Sequence, residues 1–389
     1  MTHTTQMLDA KAVTSGKHHF FGYYDKSPWD ATGRYLLSLE VPFMDRQPTA
    51  DDPATIGMID LQDDNRWIPL GETLAWCWQQ STMLQWLPGE PQRKIIYNQR
   101  DGDHFISVVQ DVFTGEKRTL PRPIYAVNGN QALSLNFARL NRTRPGYGYM
   151  GVEDKGKDDP HPADDGIYWM DLNTGENRLL ISYEQMRHFH ETDTMASGQH
   201  WFNHVHIAPD GSSFIWLHRW QHPLHERRQW VDRLVTANTD GTNICVVADD
   251  YYVSHLDYYT PDKVVAWARK ADVGDRYFLY TLCSDKVEII GDGLFNTDGH
   301  CSFSPDRQWM LTDTYPDEQD MRTLILYHME SNTRIDIGKF YAPPELTGPI
   351  RCDLHPRWSR DGKQVCIDSA HEGERQVYVI DVSPVIDAY

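Results

Sequence analysis

Histidine carries the first chemical signal. In NHVHIAPDG, residues 203–211, His204 and His206 are separated by one residue. Side chains on a strand alternate between its faces, so the two imidazoles point the same way, with Val205 opposite. The turn that follows recurs along the chain. Aligning its copies sets His204 beside His300 of GHCSFSPDR and His355 of LHPRWSRDG, each five residues before the second position of the turn. His255 of SHLDYYTPDK joins them after a one-residue insertion. Four neutral imidazoles meeting at one place suit Zn²⁺, Mn²⁺ or another first-row divalent ion, or form a catalytic imidazole cluster. Any one of them alone reads as a hydrogen-bonded core residue. His104, His206 and His218 could also supply an imidazole, although no spacing selects them.

Arginine forms the second constellation. Arg139 lies near the end of ALSLNFARL, read as an apolar strand, Arg219 lies in FIWLHRW, and Arg351 lies in GPIRCDLHP. Singly, each reads as a rim salt bridge; together at one mouth they would hold a carboxylate through bidentate hydrogen bonds. Tyr23, Tyr24, Trp76, Trp78, Tyr125, Trp216 and Trp220 crowd the same regions. Most of these suit core packing, and a few at a channel mouth would stack on sugar rings or donate a phenolic proton.

The elements that must position these groups are strands. Short apolar runs separated by PDG, DATG and NTG turns dominate, and amphipathic helices are nearly absent. Two phrases alternate. One is a strand–turn–strand unit such as VHIAPDGSSFIWLH or CSFSPDRQWMLTD; the other is an apolar pair such as IYWMDLNTGENRLL or LILYHMESNTRIDI. Seven such pairs make seven four-stranded units, the pattern of an all-β, seven-bladed β-propeller. The sequence predicts a single propeller domain over residues 1–389, with blades beginning near 18, 76, 121, 199, 249, 294 and 349. The acidic insert at 152–166 reads as a solvated loop in the third blade. Equivalent inner-strand positions of different blades converge on the axis, which turns the histidine alignment into a prediction of proximity.

Bulk properties narrow the functions. With 389 residues, 40% hydrophobic and 12% aromatic, the chain fills a sizeable core. Its net charge of −19 opposes nonspecific nucleic acid binding and anionic membrane surfaces. An anionic small substrate would need a local arginine cluster. No run of eighteen apolar residues and no export signal is evident, so a cytoplasmic protein is expected. The six scattered cysteines, without a CxxC, are expected to be free and buried.

The phrases HHFFGYYDKSPWD, AWCWQQSTMLQWLPG, LNRTRPGYGYMG, HWFNHVHIAPDG, FIWLHRW, GHCSFSPD and TGPIRCDLHPRWS together resemble the seven-bladed propeller polysaccharide lyases. The nearer branches are the ulvan lyases and rhamnosyl-glucuronate lyases; the oligogalacturonate lyases are more distant. The resemblance implies β-elimination at a 4-linked hexuronic acid in an acidic oligosaccharide. That reaction needs a neutralised C6 carboxylate, a base for the C5 proton and an acid for the departing O4. It implies Tyr125 as acid or base and Arg139, Arg219 and Arg351 as carboxylate ligands, with Asn203 and Trp220 also binding substrate. The aligned His204, His255, His300 and His355 remain the candidate ligands of a divalent metal, Mn²⁺ or Zn²⁺. One position departs from the pattern: Gln80, 45 residues before Tyr125, stands where those lyases carry a histidine. Glutamine can hydrogen-bond a carboxylate but is no base near neutral pH. Two alternatives stay open. A related propeller branch is a glycoside hydrolase acting on rhamnosyl or uronosyl termini, for which His18, His19 and Asp25 are candidates. A noncatalytic binding module is the other.

Overall fold

The recurring turns close on their own side chains. Asp210 Oδ1 accepts from the Ser212 N–H (3.0 Å) and hydroxyl (2.7 Å). In the two related copies a serine donates to the turn aspartate, Ser304 to Asp306 and Ser359 to Asp361, each at 2.6 Å. The next residue in each turn adopts a left-handed φ: Gly211 at +75°, Arg307 at +63° and Gly362 at +73°. Glycine takes this conformation without steric cost, which explains the PDG consensus.

A computed structural model describes residues 2–222 and 229–389. The strands between the turns form seven sheets arranged as the blades of a ring. Their inner strands are His18–Phe20, Gln85–Trp86, Ala126–Asn128, His200–Ile207, Val253–Thr260, Ser302–Phe303 and Arg357–Trp358. Each begins within ten residues of the expected blade start, and the seven-bladed β-propeller is the observed fold. Apolar clusters fill the spaces between neighbouring blades; one of them packs Trp309, Leu311 and Leu326 of blade 6 against Trp358, Val365 and Ile367 of blade 7.

Ring closure uses the N-terminus. The last sequence repeat ends in one strand, Gln376–Asp381, so blade 7 lacks an outer edge of its own. Ala10–Ala12 fills it by antiparallel pairing, and Thr2–Thr5 adds a fifth, parallel strand to Thr333–Tyr341 of blade 6. A buried ion pair completes the seam. Arg357 of blade 7 holds Asp368 at 2.7 and 3.1 Å and donates to the Tyr23 carbonyl at 3.1 Å, while Asp368 accepts from the Phe21 and Gly22 N–H groups of blade 1.

Three sequence expectations need correction. The strand in ALSLNFARL stops at Ser134; Asn136 then caps a helix, Phe137–Thr143, by accepting from the Arg139 N–H at 2.9 Å. The 152–166 insert is more than solvated surface. Arg139 donates to the Gly156, Asp159 and Pro160 carbonyls, and the buried Asp154 pairs with Arg142 at 2.7 Å. Finally, Cys245 and Cys283 are joined in a disulfide with a Cα–Cα distance of 5.5 Å, while Cys77, Cys301, Cys352 and Cys366 are free and buried. The bonded pair links the outer strand of blade 4 to a turn of blade 5, a neighbour relation that a separation of 38 residues does not reveal.

Deleting residues 2–12 should strip blade 7 of its outer strand. At roughly 1 kcal/mol per lost ladder hydrogen bond, a destabilisation on the order of 3–5 kcal/mol is expected. Calorimetry should show the lower melting temperature, and size-exclusion chromatography the association through the bared edge.

Candidate functional site

The four aligned histidines do gather around the channel axis. Ring centroids lie 6.4 Å apart for His204 and His255, 4.0 Å for His255 and His300, and 4.5 Å for His300 and His355. Tyr23 fills the space between them, stacked on His204 at 5.0 Å and edge-on to His355 at 5.1 Å. His204 and His355 carry left-handed φ angles of +52° and +42°. Such strain in a non-glycine residue is uncommon, and in blade 4 it coincides with a bulge between Asn203 and His206 that interrupts strict alternation.

Within this group the chemistry is uneven. The ligand atoms of His300, Asp353 and His355 all lie within 4.8 Å of one another, and all three residues are buried. His300 Nε2 and His355 Nε2 have no hydrogen-bond partner among the described residues. They stand 4.0 and 3.8 Å from Asp353 Oδ2. The far nitrogen of His300 is held by Asp313 at 2.8 Å, and His255 Nδ1 by Asp298 at 2.9 Å. A carboxylate behind an imidazole fixes its tautomer and turns the other nitrogen toward a metal. Desolvation holds the His355 imidazolium well below its ordinary range, so the ring is neutral and able to ligate. Two imidazoles and a carboxylate therefore fit Mn²⁺ or Zn²⁺. His204 stands apart from this triad; its Nε2 is 3.4 Å from the Tyr23 hydroxyl.

Arginines border the triad. Asp353 is paired with Arg351 Nε at 2.6 Å and with Arg322 Nη2 at 2.7 Å. Burial alone would push its pKa up, but the two cations outweigh burial and hold the carboxyl ionised. Arg351 also donates to the Tyr147 hydroxyl at 2.7 Å. Arg144 lies over the Tyr147 ring at 4.6 Å. Burial pushes the Tyr147 phenol up, yet Arg351 and Arg144 outweigh it and leave the pKa below the ordinary value. Tyr315, 6.0 Å from His300, is pushed the opposite way, chiefly by burial. Tyr315, Arg322 and Arg351 line a cleft of about 280 Å³ between blades 6 and 7.

The other sequence candidates are distributed as follows. Gln80, Tyr125 and Asn203 touch: Gln80 Nε2 donates to the Tyr125 hydroxyl at 2.5 Å, which donates to Asn203 Oδ1 and accepts from the His204 N–H, both at 2.9 Å. Tyr125 is fully buried, and desolvation raises its pKa well above the ordinary phenol value. Arg219 is buried with Nε on Asp232 at 2.5 Å, and its Nη1 has no partner among the described residues. Arg139 does not join Arg219 and Arg351. Its guanidinium is buried on backbone carbonyls, including those of His200 and Pro160 at 2.7 Å, because helix Phe137–Thr143 turns it toward the insert. Arg144, just past that helix, takes its place electrostatically, with Arg351 and Arg219 both acting on it. Trp220 is buried with its indole N–H on Thr194 at 3.0 Å. His18 and His19 lie on the inner strand of blade 1, with His19 edge-on to Trp67 at 4.7 Å, whereas Asp25 lines a different cavity. His104 is exposed beside Asp103, and His218 is bonded to His200 at 2.8 Å and to Arg233 at 3.0 Å. Sequence reasoning passed over Asp353, Arg144, Tyr147 and Tyr315. Three of them lie in phrases that carry the resemblance, Arg144 and Tyr147 in LNRTRPGYGYMG and Asp353 in TGPIRCDLHPRWS, but no spacing singled them out.

Fold and site together define a seven-bladed β-propeller that gathers histidine, aspartate and arginine at one mouth of its channel. No family model matches the sequence, and no curated protein matches it. Among solved structures, an oligogalacturonate lyase from Vibrio parahaemolyticus aligns with a TM-score of 0.66 at 13% identity, covering 98% of this chain and 96% of that one. An oligogalacturonate lyase in complex with manganese gives 0.66 at 15%, covering 98% of each. The propeller domain of the Trilobed protease from Pyrococcus furiosus gives 0.51 at 10%, covering 92% and 94%. At such identities the likeness establishes the fold.

Two measurements follow. Calorimetric titration with Mn²⁺ or Zn²⁺ should show one tight site, weakened at least about tenfold in His300→Ala and Asp353→Asn and by less in His204→Ala. Separately, desolvation lowers the pKa of His19 and of His200 to about 4. The unfolded chain takes up these protons near 6.5. Their contribution to stability is therefore complete above pH 6.5 and is lost as pH falls toward 4. Urea midpoints should be level between pH 7 and 8 and fall steadily from pH 6.5 to 4.5.

Proposed function

We propose that this protein is a lyase acting on uronic-acid-containing oligosaccharides by β-elimination, assisted by a divalent metal. The observation that carries the reading is the meeting of two buried imidazoles, His300 and His355, whose Nε2 atoms have no hydrogen-bond partner among the described residues, with Asp353, beside an arginine-bound tyrosine. A structural neighbour, the oligogalacturonate lyase in complex with manganese, supports the same reading.

Each requirement of the reaction has a named group. The substrate carboxylate must be neutralised before its α-proton becomes acidic. Arg144, Arg219 and Arg351 supply the positive field, and Arg219 Nη1 and Arg144 Nε are buried with no partner among the described residues. His300, Asp353 and His355 would hold a divalent metal, which when bound would supply Lewis-acid polarisation of that carboxylate. Tyr147, whose phenol is made more acidic by Arg351 and Arg144, accepts the C5 proton. Tyr315, kept protonated by burial, donates to the departing O4. Two like groups with pKa values pushed apart by their surroundings are the usual mark of an acid and base pair. Tyr125 is assigned instead to positioning: its hydroxyl is saturated by Gln80, Asn203 and the His204 backbone, and it holds the strained His204 in place. The hydrolase reading is less well served, because His19 and Asp25 line different cavities.

Incubation with galacturonate, ulvan-type and rhamnosyl-glucuronate oligosaccharides should raise the ultraviolet absorbance of a 4,5-unsaturated uronate, and chelator should abolish the rise. Tyr147→Phe should lower kcat by about 10²- to 10⁴-fold. The wild-type rate should climb with pH through an ionisation below the ordinary phenol range that the variant lacks. Release of reducing sugar without absorbance would favour the hydrolase, and silence in both assays a binding module.

A further inference from the structure

The residues two positions beyond the first ring of channel side chains form a second ring. After Tyr23, His204, His255, His300 and His355 come Asp25, His206, Asp257, Ser302 and Arg357; blades 2 and 3 add Gln85 and Val127, two past Met83 and Tyr125. All seven of these later residues line one cavity of about 270 Å³. It is thus the next level of the same channel, toward the turns that end the inner strands.

Four of its lining residues bear buried polar atoms with no hydrogen-bond partner among the described residues: Asp25 Oδ1, His206 Nε2 (3.6 Å from Asp25 Oδ2), Ser302 Oγ and Trp358 Nε1. The side chains of Asp25 and His206 are only 5% and 6% exposed. Leaving such atoms unpaired costs about 1–3 kcal/mol each, so the site is built to receive hydrogen bonds. The set mixes an acceptor, a donor and two groups that can do either.

Charge at this level is balanced. Asp25 is paired with Lys26 at 2.6 Å, Arg357 with Asp368 at 2.7 Å, and Asp257 shares the cavity with Arg307. Asp25, His206 and Asp257 do not meet the spacing of a metal site; among the described residues only His300, Asp353 and His355 do. Tyr24, Tyr258, Phe303 and Trp358 add aromatic surface. Small-molecule pockets start near 300 Å³, so one sugar ring is the size that fits.

We infer that this second mouth is a binding site for a neutral, hydroxyl-rich small molecule of monosaccharide size, distinct from the arginine-rich mouth. The inference stands on its own cavity and does not rest on the lyase reading. Its test is calorimetry and saturation-transfer NMR on the whole protein with galactose, glucose and rhamnose, and with galacturonate and glucuronate as acidic counterparts. One neutral sugar should bind with unit stoichiometry. Ser302→Ala and Trp358→Phe should each weaken it by about 3- to 10-fold, the loss of one hydrogen bond. Val127→Trp, which fills the cavity from a partly exposed position, should abolish binding, and Arg351→Met should leave it unchanged. A wild-type crystal soaked with that sugar should show it beside His206, whatever the variants do. The inference is overturned if no neutral sugar binds the wild type, if binding survives Val127→Trp, or if the uronates bind this mouth as tightly.

Discussion

The channel exists only because the ring closes, and a buried ion pair completes that closure beside the N-terminal strands. Arg357 and Asp368 belong to blade 7, yet between them they take up the Gly22 and Tyr23 carbonyls and the Phe21 and Gly22 N–H groups of blade 1. Removing one partner of such a pair typically costs about 3–5 kcal/mol, because a charge is left buried alone. Here it would also release the backbone beside Tyr23, which packs between the channel histidines. Arg357 lies two residues after His355, so the seam and the candidate metal site share one short segment of chain. Closure and chemistry are therefore coupled through the chain itself.

The same logic explains how a protein of net charge −19 presents a positive mouth. Surface carboxylates set the long-range field, but buried groups respond to their immediate neighbours. Asp353 is surrounded by Arg351, Arg322 and two imidazoles, which hold it ionised despite complete burial. Arg351 in turn spreads its charge onto Tyr147, and Arg144 acts on the same ring from another side. The mouth is a network in which the Asp353 carboxylate is matched by two arginines. An incoming carboxylate would meet cations already desolvated and held in place, which is the condition for strong electrostatic recognition.

The histidines were legible in the sequence because a turn anchors them. His204, His300 and His355 lie a fixed distance before a serine–aspartate turn whose geometry repeats, and His255 follows with one residue inserted, so sequence register became spatial register. Asp353 was illegible for the opposite reason: it precedes His355 by two residues, in a stretch outside any strand, and only folding shows that its carboxylate turns back to His300. The reading of Arg139 failed because one capping asparagine converts the strand's continuation into a helix, which rotates that side chain away from the channel. The N-terminal strands and the Cys245–Cys283 bond were hidden by topology, since each pairs segments that no local pattern relates.

NHVHIAPDG shows how far that register reaches. The two histidines do not serve one site. His204, turned by its left-handed backbone, stacks on Tyr23 at the arginine-rich level; His206 stands 3.6 Å from Asp25 and 3.8 Å from Asp257 at the balanced level. One strand spacing of two residues thus separates two chemically different floors of a single channel. A propeller can vary them independently, because each blade contributes one residue to each floor and the backbone beneath is the same. Selectivity at either mouth is then set by seven side chains at a common depth, and at the ring seam changing Arg357 also loosens the scaffold that holds its floor.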